Sequence, residues 1–405
     1  MLVYQNMEKK METKTRIEPS TKLANLPKYI FAELDEWKDA ARAEGKDFID
    51  LGIGSPDGPT PEPIIEAAIQ SMKNPKNHGY PSFKGKIEFR KEISKWMKNR
   101  YNVDIDPESE IQTLVGAKEG LANIAMAFTN PDDINIVPDP YYPVLSRGTW
   151  IASGKVYHTP LKPENNYLPD LDSIPEDIAQ KAKIFFVNYP NNPTAAIAPR
   201  EFLEKLVAFC KKYNILLCYD MAYGEVCFDG YRPLSIFSIE GAKDIAVEYH
   251  SFSKTFNMAG WRIGFVCGNP EYIKIIHDMK TNTDYGTCSI MQDAGMAALN
   301  IDYSYVAETM NNYARRRDFM IEGFEKLGWN IEKTKATMYM WLKIPTGYTS
   351  KEWCKMVFDK AGVVFTPGIA FGEYSDNCFR VSLVQPDETL KEALKRLEQS
   401  GICYQ

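Results

Sequence analysis

Apolar positions along the chain follow two different periods. The stretches "IQTLV" (Ile111 to Val115), "INIVPDP", "KIFFVNYP", "NILLCYDMAY", "IAVEYHSFS" and "RIGFVCG" are short, β-rich and nearly continuous in their apolar residues, as strands buried on both faces must be. Between them, "KEGLANIAMAF" reads as a helix, and "PREFLEKLVAFCKKY" spaces its apolar residues at i, i+3, i+4 and i+7, the stripe of an amphipathic helix. Strands alternating with helices predict an α/β unit, a mostly parallel sheet covered on both faces with right-handed crossovers. After about residue 300 the pattern changes to a long charged helix, "YVAETMNNYARRRDFMIEGFEKLG". Strand candidates follow at "MYMWLKI" and "CFRVSLV", then a closing helix, "TLKEALKRLEQSG". The expected division is a large domain over 61–300 and a smaller α+β domain made of 301–405 with 1–60, the latter including an N-terminal arm. No internal repeat or low-complexity tract interrupts this plan.

Length and composition narrow the class. A chain of 405 residues can bury a large core, and 44% hydrophobic with 25% charged residues is an ordinary globular balance. The formal charge of −6, with both signs interspersed, argues against a nucleic-acid partner. The cysteines (210, 218, 227, 267, 288, 354, 378 and 403) form no C-x-x-C pair and no framework, so they read as reduced core residues of a cytoplasmic protein. Histidines 78, 158, 250 and 277 never fall at i, i+4, and no metal is assigned. No apolar run approaches the ~20 residues of a membrane span. The opening "MLVYQNMEKKMETKTR" is charged, unlike an export signal, and is expected to be a frayed leader, with Met7 and Met11 as alternative starts.

The informative polar residues follow the strands. Ligands of an open parallel sheet gather outside the carboxyl ends of its strands, where loops converge and helix N-termini point at them. Gly116-Ala117-Lys118-Glu119-Gly120 follow the first strand, and Asn188, Asn191, Asn192 and Pro193 follow "KIFFV". Asp220 and Tyr223 follow "NILLCY", and Ser251, Ser253, Lys254 and Arg262 follow "IAVEYH". Singly, each has an ordinary reading: a lysine is usually a solvated surface group, an aspartate at a strand end a turn or cap, "NNP" a turn signal. Together they match one chemistry. A lysine amine forms a Schiff base with a carbonyl when its surroundings supply the neutral amine. Pyridoxal phosphate needs such a lysine, an acid beside its ring nitrogen and an anion cradle. Lys254 would be the anchor and Asp220 the acid. The amides of Ala117 and Lys118 at a helix start, with Ser251 and Arg262, would cradle the phosphate. Tyr223 and Asn192 would hydrogen-bond the phenolic oxygen.

These residues resemble the class I/II aminotransferases of the fold type I pyridoxal-phosphate enzymes. The likeness runs from "YIFAELDEWKDAARAEGKDFIDLGIGSPDGPTP" through "GYPSFKG", "PDPYYPV", "NYPNNPT", "YDMAYGEV" and "SFSKTFNMAGWRIGF" to "FRVSLVQP". The resemblance implies a seven-stranded large-domain sheet, a homodimer with shared sites, and transamination between an L-amino acid and a 2-oxo acid, with 2-oxoglutarate as one partner. It further implies that Lys254 carries the proton, that Tyr142 stacks on the cofactor, and that Tyr80 reaches the neighbouring subunit's phosphate site. By the same resemblance Arg380 clamps the substrate α-carboxylate, a task that suits its planar fork, and Gly54 and Asn192 join it in holding substrate.

Several segments look most like LL-diaminopimelate aminotransferases of lysine biosynthesis. There, residues matching Tyr29, Lys118 and Asn282 meet the distal end of the substrate, Tyr29 and Asn282 across the subunit boundary. Two departures stand out: Phe83 and Lys84 where an acidic side chain is common, and Ala195 where glycine is usual. Lys84 would repel a distal ammonium or attract a distal carboxylate, unless it points into water, and this keeps aspartate, glutamate and other donors such as alanine or aromatic amino acids open. A β-lyase or decarboxylase on the same fold shares the lysine, aspartate and arginine and differs only in product. A cofactor-keeping transcription regulator lacks room for a DNA-reading module before the fold. A dinucleotide-binding dehydrogenase fails because "LGIGSPDG" lacks the third glycine and runs into prolines.

Overall fold

The computed structural model describes residues 19–24, 26–27 and 29–404; the opening leader and its alternative starts lie outside them. Seven strands form the main sheet: β2 (Ile111–Leu114), β3 (Ile134–Asp139), β4 (Lys155–Pro160), β5 (Ala182–Asn188), β6 (Leu216–Asp220), β7 (Ala246–Ser251) and β8 (Gly264–Gly268). Their order is β2-β8-β7-β6-β5-β3-β4. Only β8 runs against its neighbours, pairing antiparallel with both β7 and β2. The mostly parallel sheet expected from the apolar runs is therefore present, with the seven strands that the resemblance implied.

Each face of this sheet is sealed by the helices whose stripes the sequence displays. In the helix Arg200–Tyr213 the residues Phe202, Leu203, Leu206, Val207 and Cys210 are buried, and they pack on Phe185, Val187, Leu217 and Tyr219. That helix stops at Asn214, whose left-handed backbone (φ 55°) places an asparagine where the chain must turn away. Removing one such side chain, as in Leu206→Ala, would cost about 2–5 kcal/mol. On the opposite face, Leu121 and Ile124 of the helix Ala117–Phe128 and Ile273 and Ile276 of the helix Pro270–Thr281 cover Ile184, Phe186, Cys218 and Val247.

Two small sheets complete the chain. β1 (Ile49–Asp50) pairs in parallel with β10 (Val363–Val364), while β11 (Thr366–Pro367), β12 (Cys378–Ser382) and β9 (Tyr339–Lys343) form an antiparallel trio in the order β11-β12-β9. One continuous core links this layer to the large sheet, running from Phe89, Ile93, Phe252 and Phe265 to Phe324, Trp353 and Phe379. The long charged helix is Ser304–Lys326, yet Arg316 and Arg317 on it are buried. Arg317 is held by Asp229 (2.8 Å) and the Thr334 carbonyl (2.6 Å). All eight cysteines are free thiols. Cys288 is a correction to their reading as core residues: it caps the helix Ser289–Leu299 and is exposed to solvent. Among the described residues no helix is long and apolar enough to cross a membrane.

Candidate active site

The carboxyl ends of β2, β5, β6 and β7 bring the strand-end residues to one rim. Asp220 is the last residue of β6, and Lys254 lies in a single helical turn, Phe252–Thr255, directly after β7. Asn188 ends β5; its Nδ2 donates to the Asp220 carbonyl (3.0 Å) and its Oδ1 receives the Asn192 amide (2.8 Å). These bonds tie the "NYPNNPT" loop to the aspartate. One loop residue is strained: Ala195, buried, has φ 61°, the left-handed region that glycine enters freely.

Arg380 arrives from β12 of the smaller layer. Its NH1 donates to Asn192 Oδ1 (2.9 Å) and its NH2 to the Gly52 carbonyl (2.8 Å), while the buried Nε has no partner. With its Oδ1 so engaged, the Asn192 side chain keeps Nδ2 as a donor for a further acceptor. The segment Gly52–Gly54 passes over the site as a strap, and Lys254 Nζ donates to the Gly54 carbonyl. The strap is fixed from behind, because Arg316 grips Asp57 with two bonds of 2.9 Å and also bonds the Leu383 carbonyl (3.0 Å). A Cβ on Gly54 would lie 2.6 Å from the Tyr339 hydroxyl, so only glycine lets the strap come this close.

Charge at the rim is tuned. Burial, and then the positive Arg380 and Arg262, bring the Lys254 ammonium down from the ordinary lysine range to about 8. Burial raises the Asp220 carboxyl to about 6, opposed by the Ala222 amide on its Oδ1 (3.0 Å) and by His250. A cation placed against the other carboxylate oxygen would hold it ionised. Burial foremost, and then the nearby Tyr339 hydroxyl (3.2 Å), keep the Tyr223 phenol protonated.

An anion cradle lies beside them. The helix Ala117–Phe128 opens at Gly116 (φ 80°, ψ 153°), so the first amides, of Ala117 and Lys118, precede any intrahelical acceptor. Arg262, itself at φ 54°, lays its guanidinium over this turn, and a Cβ on Gly116 would meet Arg262 NH2 at 2.6 Å. Ser251 ends β7 on the same rim and its hydroxyl caps the Lys254 turn by accepting from the Ser253 amide (3.2 Å). Amides at a helix start and a guanidinium beside a glycine make a fitting seat for a phosphate. Lys118 Nζ stands 5.9 Å from the Tyr142 ring and 5.7 Å from that of Tyr29.

Four further residues singled out in the sequence are placed as follows. Tyr29 lies beside Lys118 of its own chain (5.7 Å from its Nζ to the ring) and under Arg147 (4.8 Å). Lys84 donates to the Glu108 carbonyl. Tyr80 (82% exposed) and Asn282 are on the surface; Tyr80 and Phe83 both stack on Tyr285, at 4.3 and 5.2 Å. The sequence reading missed Tyr339, which presents as one more apolar strand residue, and Arg147, whose helix Val144–Ile151 carries no other charge. It also missed Asp139, which receives Ser375 Oγ (3.2 Å) and so binds the Tyr142 loop to the smaller layer; burial lifts its carboxyl to about 7. One trio of potential metal ligands exists among the described residues, Glu248, His250 and Cys267. There the Glu248 carboxylate is already engaged by Ser235 Oγ (2.9 Å), the Ile236 amide (2.7 Å) and His250 Nε2 (2.7 Å).

Comparison with known proteins agrees with this geometry. The family model described as aminotransferase class I and II matches residues 46–397. The chain is 50% identical over 381 residues to an LL-diaminopimelate aminotransferase of Aquifex aeolicus, covering 94% of this chain and 98% of that one. It is 46% identical over 388 residues to the enzyme of the same name from Halothermothrix orenii, covering 96% and 100%. Substrate-bound BacF from Bacillus subtilis superposes with a TM-score of 0.92 at 38% identity, covering 96% of this chain and 99% of that one. With a sheet, a rim and a sequence that agree over nearly its whole length, the chain belongs to the class I and II aminotransferases.

Proposed function

We propose that the chain is a pyridoxal-phosphate aminotransferase that moves the amino group of LL-diaminopimelate to 2-oxoglutarate, or runs the exchange in reverse. The observation that carries the reading is the convergence of a lowered lysine, a buried aspartate and an arginine half-filled by backbone oxygen on one rim of the sheet. When bound, the cofactor supplies an aldehyde for the amine and an aromatic ring that accepts the electron pair left by a departing Cα proton. Lys254 would be the anchor and, once displaced, the base that moves that proton. Asp220 would pair with the ring nitrogen and keep it protonated. Tyr142 would cover the ring, and Tyr223 with the Asn192 side-chain nitrogen would donate to the phenolic oxygen. Ala117, Lys118, Ser251 and Arg262 would hold the phosphate. An incoming α-carboxylate takes the Arg380 fork from the Gly52 carbonyl, with the Gly54 strap closing above it.

The names of the relatives support the donor, and their extent along this chain supports it further. Phe83 and Tyr285 replace an acidic contact by aromatic faces, which attract a distal ammonium through cation–π interaction. A homodimer belongs to the same proposal. It would cover the open groove of about 550 Å³ lined by Ile65, Ile69, Met72 and Ile290, in which Ile69 and Met72 are 42% and 57% exposed. Tyr80 and Asn282 would then serve the partner's site. The division into 61–300 and 1–60 with 301–405, and residence in the cytoplasm, complete the proposal.

Purified holo-protein with 2-oxoglutarate and a panel of LL-diaminopimelate, aspartate, alanine and phenylalanine tests it. Glutamate formation should be fastest with LL-diaminopimelate. Ammonia with pyruvate as products would favour a β-lyase instead. Multiple turnover by Lys254→Ala would end the assignment.

A further inference from the structure

We infer that Tyr339 is a positioning residue that couples the carboxylate-binding arginine to the phenol-bearing side of the cofactor site. The inference rests on the placement of Arg380 and Tyr223 proposed above and deepens it. Tyr339 opens β9 and pairs with Ser382 of β12, while Arg380 pairs with Trp341. Paired and alternate residues share a face, so Arg380 lies diagonally across from Tyr339. Its guanidinium stands 4.1 Å above the Tyr339 ring, with the Phe371 ring at 4.9 Å on another side. The flat ring is thus a rest for the arginine, holding the fork in place with the cation over the π face.

The other end of the same side chain does different work. The Tyr339 hydroxyl is 3.2 Å from that of Tyr223, and both are buried. Either oxygen can donate in that pair. If Tyr223 gives its proton to an acceptor in the cofactor pocket, Tyr339 must be the donor between the two tyrosines. A donor that itself receives a hydrogen bond is polarised and donates more strongly. Tyr339 therefore strengthens Tyr223 without touching the cofactor. The Gly54 strap rests on the same oxygen, since a Cβ there would lie 2.6 Å from it. One side chain consequently contacts the substrate clamp, the phenol donor and the strap that receives the Lys254 amine. The charged and titratable groups that face it are Arg380 on β12, Tyr223 after β6, Tyr142 after β3 and Tyr313 on the helix Ser304–Lys326.

Two substitutions separate the two ends. Tyr339→Phe keeps the ring and removes the hydroxyl. In a spectrophotometric pH titration of the holo-protein's visible band, its midpoint should rise by about 0.3 unit, a twofold change, because Tyr223 donates less strongly. The KM for the amino donor should hold steady. Tyr339→Leu removes the ring as well, and should add a rise in donor KM of roughly 5- to 30-fold, the worth of a desolvated cation–π contact. Tyr223→Phe is the reference and should move the midpoint further than Tyr339→Phe. If Tyr223→Phe shifts the band and Tyr339→Phe does not, the coupling is refuted while the placement of Tyr223 stands. If neither shifts it, the placement of Tyr223 fails first and the coupling falls with it. A Tyr339→Leu variant whose donor KM matches that of Tyr339→Phe refutes the support of Arg380.

Discussion

Lys254 should behave as an amine with half its protons gone near pH 8. The ordinary lysine value is 10.5 and the site brings it to about 8, chiefly by burial and then through Arg380 and Arg262. That difference corresponds to roughly 3 kcal/mol of disfavour for the ammonium. At pH 7 about one-tenth of the apo-protein would carry the neutral amine, about 300-fold more than for a solvated lysine. The perturbation is pH, and the assay is stopped-flow absorbance of apo-protein mixed with excess pyridoxal phosphate, with a simple alkylamine as reference for the aldehyde's own titration. The attachment rate should climb about tenfold between pH 6 and 7, bend near 8, and change less than about twofold from 8 to 9. Arg380→Gln, which removes one like charge, should move the bend to higher pH. Folding linkage has the matching sign. Between about 8 and 10.5 the unfolded chain keeps a proton that the folded chain has released, so this group makes stability rise with pH across that window and contributes no slope below it. A rate that keeps rising tenfold per unit through pH 9 would refute the tuned amine.

Other consequences are as direct. Asp220→Ala should lower kcat by about 100-fold or more while the protein still takes up cofactor, because a preorganised charge is lost and little else; equal rates would remove Asp220 from its role. Gly54→Ala should cut turnover about tenfold by driving a methyl into the Tyr339 hydroxyl, and Gly54→Ala with Tyr339→Phe should recover more than the two single losses allow. Ala195→Gly should stabilise the protein by roughly 1 kcal/mol in urea unfolding, since it relieves a left-handed alanine at φ 61°. An unchanged or lower midpoint would mean that the Ala195 methyl contributes more by packing than its backbone costs.

What the sequence made legible was whatever local patterning controls. The apolar runs of β5, β6 and β7 are fully or nearly fully buried strands, and their period leaves no other solution. Lys254, Asp220, Asn192 and Arg262 could be grouped because each follows a strand of one parallel sheet, and topology alone brings such residues to one edge. Tyr339 was not legible, since its part depends on a strand pairing with β12 and a strap from residue 54, contacts that no local spacing encodes. Arg316 and Arg317 are part of a long charged helix in the sequence, and three of the carboxylates that pair with them in the fold, Asp57, Asp387 and Asp229, are distant in sequence. The Lys84 contact was hidden for the same reason: its partner, the Glu108 carbonyl, lies on a separate turn.

The central claim is that one amine, that of Lys254, takes the cofactor opposite Asp220. Borohydride reduction of the holo-protein, followed by digestion and mass spectrometry, tests it most directly. The account predicts a single pyridoxyl group on the peptide containing Lys254, lost in Lys254→Ala. A pyridoxyl group on another lysine, with Lys254 unmodified, would contradict it.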